Sequence, residues 1–337
     1  MQKWIKEVAR GQKGAKDLTY EQTVEVVETI VNQHATDAQI AAYLVGERIK
    51  MESPEELLAW IHVLQQNATT LTLAQEVQKN IIDFTGPYNG RNSFAATIPV
   101  SMLLAEAGIP AYIAAPNSLP PKYGTSLKAI MEHLGWKANK PSLTDTFVFV
   151  DPEEYCPPLH QLRTIREEIG IRTLLNTVEK LLNLANAKRI MLGAFHRTAI
   201  HKLNDVFKHL VYEDVFIVQG MEGSEDVPVH RNSFVYHITK DDLTTFTVKP
   251  KEYGLECKQF DKSIKLSASE QATIITSLFS GEQKKAYEYY YNQVLLNAGL
   301  RYYLFGFQPT IEQGVQYAKE QLHSGKMMEY VHNWRNQ

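Results

Sequence analysis

The chain has 337 residues, which is enough for one large domain with a smaller one, or for two domains. Apolar residues make up 44 % of the chain, so a large core can form and a disordered protein is excluded. The net charge is −3, from 35 basic and 38 acidic residues, and this balance disfavours a protein that binds nucleic acid over its whole surface.

Two cysteines, Cys156 and Cys257, lie far apart and show no spacing typical of metal ligands or of a disulfide framework. The first residues lack the apolar segment of a signal peptide. No apolar run is long enough to span a bilayer. We therefore expect a cytoplasmic protein that does not enter a membrane.

Three capping signals predict helices in the first 72 residues. In each, a Ser or Thr is followed three residues later by Gln or Glu, so that the two side chains satisfy backbone N–H groups at a helix start. Apolar residues recur at helical spacing after each signal, which predicts a helical N-terminal domain over residues 1–72. The capping pairs are Thr19 with Gln22, Thr36 with Gln39, and Ser53 with Glu56.

Between residues 75 and 337, short β-branched and aromatic runs alternate with helical stretches, which predicts a large α/β domain. The closely spaced strands near residues 234–248 predict a hairpin and therefore a mixed sheet. The predicted strands are 111–115, 146–150, 189–194, 215–220, 234–238 and 245–248. The predicted helices are 99–107, 126–133, 198–209, 267–279, 281–304 and 310–325.

Residues 160–209 are locally basic, with nine Lys or Arg side chains against four acidic ones. Such a region can bind phosphates by releasing counterions, and it can equally be the solvated surface of two helices. Four histidines in the same region would add charge at lower pH.

Several segments make the whole chain resemble the anthranilate phosphoribosyltransferase group of glycosyltransferase family 3. They are "QIAAYLVGERIKMESPEELLAW", "IREEIGIRTLLN", "LLNAGLRYYLFG" and "TIEQGVQYAKEQLHSGK". The resemblance implies a small helical bundle, with helices from about residues 160–185 packing on it, beside a large α/β domain of the nucleoside phosphorylase and phosphoribosyltransferase type. It also implies phosphoribosyl pyrophosphate (PRPP) and magnesium in the cleft between the domains, and a homodimer formed through the helical domain.

The glycine-rich phosphate loop of that group is altered in this sequence. In the family these positions read Gly-Thr-Gly-Gly-Asp-Gly. The glycines leave the backbone N–H groups unhindered, so that these groups can bind phosphate oxygens. Pro87 offers no N–H, and Tyr88 places a ring where the backbone would approach the phosphate. We therefore expect a weakened diphosphate site. The six positions here are Thr85, Gly86, Pro87, Tyr88, Asn89 and Gly90.

Other residues match family positions that bind the substrates. Asn117, in "IAAPNS", lies one place from a family asparagine, and Lys122 matches the loop that follows. Arg166 falls on the arginine that contacts the carboxylate of the aromatic acceptor. Arg91 follows the flexible Gly90 and could reach an oxyanion, although a solvated turn arginine would look the same.

The resemblance also implies ligands for a magnesium ion. Thr97 stands where a family serine assists the metal, and Glu225 with Asp226 occupies the family's Asp-Glu pair in swapped order. Carboxylates are suitable Mg²⁺ ligands, but surface loops often carry two acids without binding a metal.

The departures resemble a second, divergent family of anthranilate phosphoribosyltransferase-like proteins, which shares "YNG" followed by Arg or Ala, and "CPPL" before the central helix. Proteins of that family have been associated with nucleic-acid binding through a basic surface. Two hypotheses follow. The first is a Mg-dependent enzyme that transfers a phosphoribosyl group from PRPP to an aromatic amine or base. The second is a non-catalytic protein that binds single-stranded nucleic acid, a nucleotide or another phosphate-bearing ligand.

Overall fold

The computed structural model describes residues 1–11, 13–87, 89–138, 140–194, 196–259, 261, 263–282 and 284–335, without the side chain of Arg197. The N-terminal part is helical, and each predicted capping box is present with both of its reciprocal hydrogen bonds. The helices here are α1 (Gln2–Val8), α2 (Tyr20–Val31), α3 (Asp37–Lys50) and α4 (Pro54–Gln66).

A seven-stranded sheet follows, in the order β3-β2-β1-β4-β5-β6-β7. The first five strands in this order pair in parallel. Strand β6 pairs antiparallel with both β5 and β7, so the predicted mixed sheet with a hairpin is confirmed. The strands are β1 (Ile82–Thr85), β2 (Ala111–Ala114), β3 (Phe147–Val150), β4 (Arg189–Gly193), β5 (Asp214–Val218), β6 (Ser233–Ile238) and β7 (Leu243–Val248).

The other helices lie between and after the strands. The C-terminal helix α13 begins later than the predicted residue 281, after a short 3-10 turn at Lys285–Tyr287. Helix α15 was not predicted from the sequence. These helices are α5 (Gln75–Asn80), α6 (Thr97–Glu106), α7 (Leu127–His133), α8 (Pro152–Tyr155), α9 (Pro157–Ile169), α10 (Leu175–Val178), α11 (Arg197–Phe207), α12 (Ala268–Phe279), α13 (Glu288–Leu304), α14 (Ile311–His323) and α15 (Lys326–Arg335).

The sheet separates two hydrophobic cores. One face packs with the helical part, so that Trp60 of α4 and Leu175 of α10 belong to the same core as Ile190 of β4. The other face packs against α6, α7 and the C-terminal helices, for example through Phe84, Met131 and Leu296. The N-terminal helices contact the α/β part through later helices, because α4 packs on α10 and α11 and α3 packs on α9. Within the described residues, none of the helices is both long and apolar enough to cross a bilayer.

Strand β1 was not predicted, although it is a central strand of the sheet. It has only four residues, all buried, and a carboxylate interrupts its apolar sequence. The Asp83 carboxylate accepts a hydrogen bond from the Tyr212 hydroxyl at 2.9 Å. Burial raises the pKa of Asp83 to about 8, so the group is largely neutral at pH 7 and can lie inside the sheet.

A buried acidic pair lies within the helical part. Glu47 of α3 and Glu56 of α4 are fully buried, and Lys50 lies between them, with its Nζ 3.4 Å and 2.6 Å from their respective carboxylates. Glu56 also accepts hydrogen bonds from the backbone N–H groups of Leu18 and Ser53. Burial, followed by repulsion from Glu56, raises the pKa of Glu47 to about 8.

This arrangement predicts how stability depends on pH. The folded protein retains the Glu47 proton between about pH 4.5 and pH 8, whereas the unfolded chain releases it, so the free energy of unfolding should fall as the pH rises through this range. Each unit of pKa difference corresponds to about 1.4 kcal/mol. Replacing Glu47→Gln should make this fall less steep, measured by urea denaturation from pH 5 to about 8.5, and the remaining fall should come from Asp83, whose pKa is also raised to about 8.

The exposed Glu55, in the first turn of α4, provides the control. The Glu55→Gln variant should keep the slope of the original chain. Equal slopes for Glu47→Gln and the original chain would contradict the assignment.

Candidate functional site

The loop after β1 is held against a second loop by two glycines. Gly90 has a φ of +76°, and a Cβ atom there would lie 2.2 Å from the carbonyl oxygen of Gly124. The next residues form two backbone hydrogen bonds, from Arg91 N to Thr125 O at 3.0 Å and from Thr125 N to Arg91 O at 2.8 Å. Gly90 is therefore required for the two loops to pack together, and its presence is not by itself evidence of a phosphate cradle.

This packing fixes the direction of the Arg91 side chain, which turns inward. Its Nη1 lies 2.5 Å from Asp226, and its Nη2 lies 3.0 Å and 3.3 Å from the two oxygens of Glu225. All three side chains are at most 1 % exposed. A solvated turn arginine is therefore excluded, and the guanidinium is paired with two carboxylates of the protein.

The space beside Gly86 is filled by the same guanidinium. A Cβ atom at Gly86 would lie 2.5 Å from Arg91 Nη2 and 3.2 Å from Glu225 Oε2. Gly86 is thus buried against the ion pair. Asn89 contributes its backbone carbonyl, which accepts a hydrogen bond from Gly124 N at 3.0 Å. Tyr88, also predicted to belong to the phosphate loop, lies outside the described residues.

A second buried arginine, Arg301, joins Arg91, Thr97, Glu225 and Asp226, and we call these five residues the Arg91 cluster. Arg301 of α13 is fully buried, and its Nη2 lies 3.1 Å from Asp226 and 3.4 Å from the Thr97 hydroxyl. The backbone N–H of Thr97 donates to Asp226 at 3.1 Å. Thr97, Glu225 and Asp226, the predicted metal ligands, therefore do lie together, but two arginines lie with them.

Two glycines on neighbouring strand ends allow the acidic segment to lie there. A Cβ atom at Gly193, the last residue of β4, would lie 2.1 Å from the carbonyl carbon of Ser224. At Gly220, just after β5, it would lie 2.2 Å from the Ser224 carbonyl oxygen. The segment containing Glu225 and Asp226 therefore lies directly on the ends of the parallel strands, where ligands bind in open α/β sheets.

The charges of the cluster cancel. Two guanidinium groups face two carboxylates, and the nearby Asp83 is largely neutral. Burial raises the pKa of Glu225, but Arg91 and Arg301 outweigh burial and lower it below its usual value. A magnesium ion could bind this donor set only if the guanidinium groups left it, because both carboxylates already bind cations. Within the described residues, there is no group of three or more His, Cys, Asp or Glu side chains that could hold a metal ion.

Glu222 makes a second internal ion pair, which the sequence did not predict. Its carboxylate accepts hydrogen bonds from the backbone N–H groups of Asn92 and Ser93 at 2.9 Å and 3.1 Å, and from the Ser93 hydroxyl at 2.8 Å. Its other oxygen binds Lys122. Converging backbone N–H groups and a lysine are a typical arrangement for binding a phosphate. Here a protein carboxylate fills it.

The predicted acceptor site is also filled from within the chain. Arg166 is 3 % exposed, and its Nη1 lies 2.7 Å from the carboxylate of Glu179. A carboxylate of the protein is therefore bound where the resemblance implies the carboxylate of an aromatic acid. Asn117 is exposed, and its backbone carbonyl accepts a hydrogen bond from Arg163 Nη2 at 3.1 Å.

Most of the basic region at residues 160–209 is also paired with acidic side chains. These ion pairs lower the net charge that the region presents to a ligand, so the count of basic residues overstates its basicity. Three cations of the region, Arg172, Lys180 and Arg189, form none of the ion pairs found among the described residues, and Arg189 instead donates a hydrogen bond to the carbonyl of Asn80. The ion pairs are Arg163 with Glu153 and Glu167, Arg166 with Glu179, Lys188 with Glu213, Lys202 with Glu52, and Lys208 with Asp205.

The Arg91 cluster predicts a large effect on stability. Replacing Arg91→Met leaves two buried carboxylates with one arginine, which should reduce the free energy of unfolding by about 3–5 kcal/mol. Replacing the exposed Arg10→Met, which removes an ion pair with Glu7 of α1 and a surface hydrogen bond to the Lys6 carbonyl, should change it by less than about 0.5 kcal/mol. Urea denaturation followed by circular dichroism compares the two variants. Equal stabilities would contradict the structural role of Arg91.

Comparison with known proteins shows which family this chain belongs to. Residues 85–328 match the model of the glycosyl transferase family α/β domain, and residues 2–68 match that of its helical bundle domain. An anthranilate phosphoribosyltransferase of Persephonella marina is 26 % identical, with 98 % of each chain covered. An uncharacterized protein of Aquifex aeolicus is 28 % identical, with 94 % of this chain and 96 % of that protein covered.

Solved structures show the same fold. An anthranilate phosphoribosyltransferase of Thermus thermophilus has a TM-score of 0.79 at 21 % identity, covering 98 % of both chains. The anthranilate phosphoribosyltransferase of Saccharomyces cerevisiae, solved in complex with PRPP and Mg, has a TM-score of 0.83 at 18 % identity, covering 99 % of this chain and 96 % of that one. The helical domain beside a large α/β domain is therefore confirmed.

Proposed function

Because this chain belongs to glycosyl transferase family 3 and is anthranilate phosphoribosyltransferase-like, we propose that it is a non-catalytic member that binds a phosphate-bearing ligand without transferring a phosphoribosyl group. The observation that carries this proposal is the buried Arg91 between Glu225 and Asp226. These carboxylates would have to hold magnesium in an active enzyme, and here they neutralise arginines.

Two further contacts support the loss of transfer. Phosphoribosyl transfer depends on positioning and on electrostatic stabilisation of the leaving diphosphate, so donors must be available when the substrate arrives. Glu222 already accepts hydrogen bonds from the N–H groups of Asn92 and Ser93 and binds Lys122. Glu179 already binds Arg166. Binding of PRPP, magnesium and an aromatic acid would have to break three internal ion-pair sets.

Phosphate binding without catalysis is supported by the remaining cations. Arg172 and Lys180 lie beside the filled site and form none of the ion pairs among the described residues. The proteins that share this fold include an anthranilate phosphoribosyltransferase solved in complex with PRPP and Mg, so that relative binds a phosphate-bearing ligand. We expect single-stranded nucleic acid or a nucleotide as the ligand, bound largely through its phosphates.

Phosphoribosyl transfer is the competing function, and one observation favours it. Thr97, Glu225 and Asp226 lie in contact around one point, as the family resemblance implies for a magnesium site. An active form would need Arg91 and Arg301 to leave these carboxylates. Breaking buried pairs of this kind costs several kcal/mol, which the binding of PRPP and magnesium would have to supply.

Titration calorimetry separates the two functions. With millimolar PRPP and magnesium we expect no binding heat, and with anthranilate added we expect no loss of anthranilate fluorescence, since the donors are engaged. The yeast anthranilate phosphoribosyltransferase, which has been solved with PRPP and Mg, is the positive control. Micromolar binding of PRPP with magnesium, or measurable transfer, would overturn the proposal and establish the competing function.

Binding of nucleic acid is tested separately, by fluorescence anisotropy with a single-stranded oligothymidylate of about twelve nucleotides. We expect binding whose affinity falls steeply between about 50 mM and 200 mM salt, because phosphate contacts release counterions. A mononucleotide competitor then distinguishes a nucleotide site from a nucleic-acid surface. Absence of binding by both ligands at low salt would contradict this part of the proposal.

Two other expectations remain proposals: a cytoplasmic location and a homodimer formed through the helical domain. Light scattering after size exclusion should give a mass of about twice the 38.4 kDa of one chain. A mass equal to one chain at micromolar concentration would contradict the dimer.

A further inference from the structure

Lys180 is a buried cation that the filled site leaves without an acidic partner. It lies in the short 3-10 helix Glu179–Leu181, which follows α10, and it is only 7 % exposed. No carboxylate among the described residues lies within ion-pair distance of its ammonium group. A lysine side chain with so little exposure costs free energy unless something compensates its charge.

The acidic groups closest to Lys180 are already engaged with other cations. Glu179, its neighbour in the chain, binds Arg166 at 2.7 Å. Glu225, which attracts Lys180 from the strand ends, binds Arg91 at 3.0 Å and is also stabilised by Arg301. The attraction of these carboxylates for Lys180 is therefore largely offset by the guanidinium groups beside them.

Arg172 lies close enough to Lys180 to repel it. It is partly buried, directly after the left-handed Gly170 that ends α9, and it forms none of the ion pairs among the described residues. Arg48 of α3 in turn repels Arg172. Glu179 and Glu52 attract Arg172, but they are already paired with Arg166 and Lys202. Lys180 is thus repelled by Arg172 and by Arg91, and Arg172 is repelled by Arg48.

We propose that Lys180 and Arg172 together bind one phosphate group of the ligand, between the helical part and the Arg91 cluster. This inference rests on the function proposed above and names the subsite that performs it. A phosphate oxygen would supply the negative charge that neither side chain finds among the described residues. A guanidinium beside an ammonium is well suited to this role, because the first presents a planar fork of donors and the second a compact charge.

Protonation of Lys180 should be coupled to this binding. Burial, then repulsion by Arg172 and Arg91, lowers the pKa of Lys180 to about 7, although Glu225 and Glu179 act in the opposite direction. A bound phosphate would raise this pKa again, because it favours the charged amine. The free protein would therefore take up a proton when the ligand binds at about pH 8.

The first test compares two lysine variants that lose the same charge. Replacing Lys180→Met should weaken oligothymidylate binding about 10- to 100-fold, as expected for a lost charged hydrogen bond. It should also reduce the slope of log affinity against log salt by about 0.7. Lys249→Met removes an exposed lysine paired with Glu252 and should leave both quantities nearly unchanged.

Folding of the Lys180→Met variant is not expected to fail. The substitution replaces an unpaired buried charge with an apolar chain of similar length, which should preserve or raise stability. Thermal unfolding followed by circular dichroism checks this point. The variant Arg172→Gln, at a partly exposed position, should weaken binding by a similar factor and provides an independent measure.

The second test is calorimetry of oligothymidylate binding at pH 8 in two buffers with different ionisation enthalpies. Phosphodiesters do not titrate near neutral pH, so any proton taken up belongs to the protein. We expect uptake of a substantial fraction of one proton by the original chain and by Lys249→Met, and none by Lys180→Met. Affinity of the original chain should fall up to tenfold for each pH unit above about 7.

The outcomes separate the two proposals. Salt-dependent binding that Lys180→Met and Arg172→Gln leave unchanged, without proton uptake, would overturn the subsite and keep the proposed function. Failure of the original chain to bind oligothymidylate or a mononucleotide would overturn both.

Discussion

The site is organised by one requirement: two carboxylates buried at the ends of the parallel strands must each have a cation. Glu225 and Asp226 are at most 1 % exposed, and a charge in such a place is tolerated only when it is paired. Arg91 and Arg301 meet this requirement from two distant parts of the chain. The loop after β1, the acidic segment and helix α13 are therefore linked by one neutral cluster, which a magnesium ion would have to open.

The same principle explains the neighbouring contacts. Glu222 accepts the N–H groups of Asn92 and Ser93 and binds Lys122, while Glu179 binds Arg166. In each case a protein side chain makes the contact that a phosphate or a substrate carboxylate would otherwise make. A scaffold whose ligand-binding groups are already satisfied needs no ligand to be stable. This makes a loss of transfer compatible with an intact fold.

The sequence was sufficient for most of the fold but not for the state of the site. Caps such as that of Thr19 with Gln22 act within one helical turn, so local pattern predicts them. Strand β1 was missed because Asp83 is tolerated there only through Tyr212, which is distant in sequence. The meeting of Thr97, Glu225 and Asp226 followed from the family resemblance. The pairing of Arg91 with that acidic segment did not, because nothing local shows which way a side chain after a glycine turns.

The position of Glu179 shows why neighbouring residues must be considered together. Its charge was counted among the acids that oppose a basic region, but its carboxylate forms a buried ion pair with Arg166. Once Glu179 and Glu225 are held by arginines, their attraction for Lys180 is reduced, and the burial of that lysine is no longer compensated. A surface count of charges would rank exposed lysines such as Lys188 and Lys208 above Lys180. Burial reverses this order, because an exposed charge is already stabilised by water, whereas a buried one gains most from a bound anion.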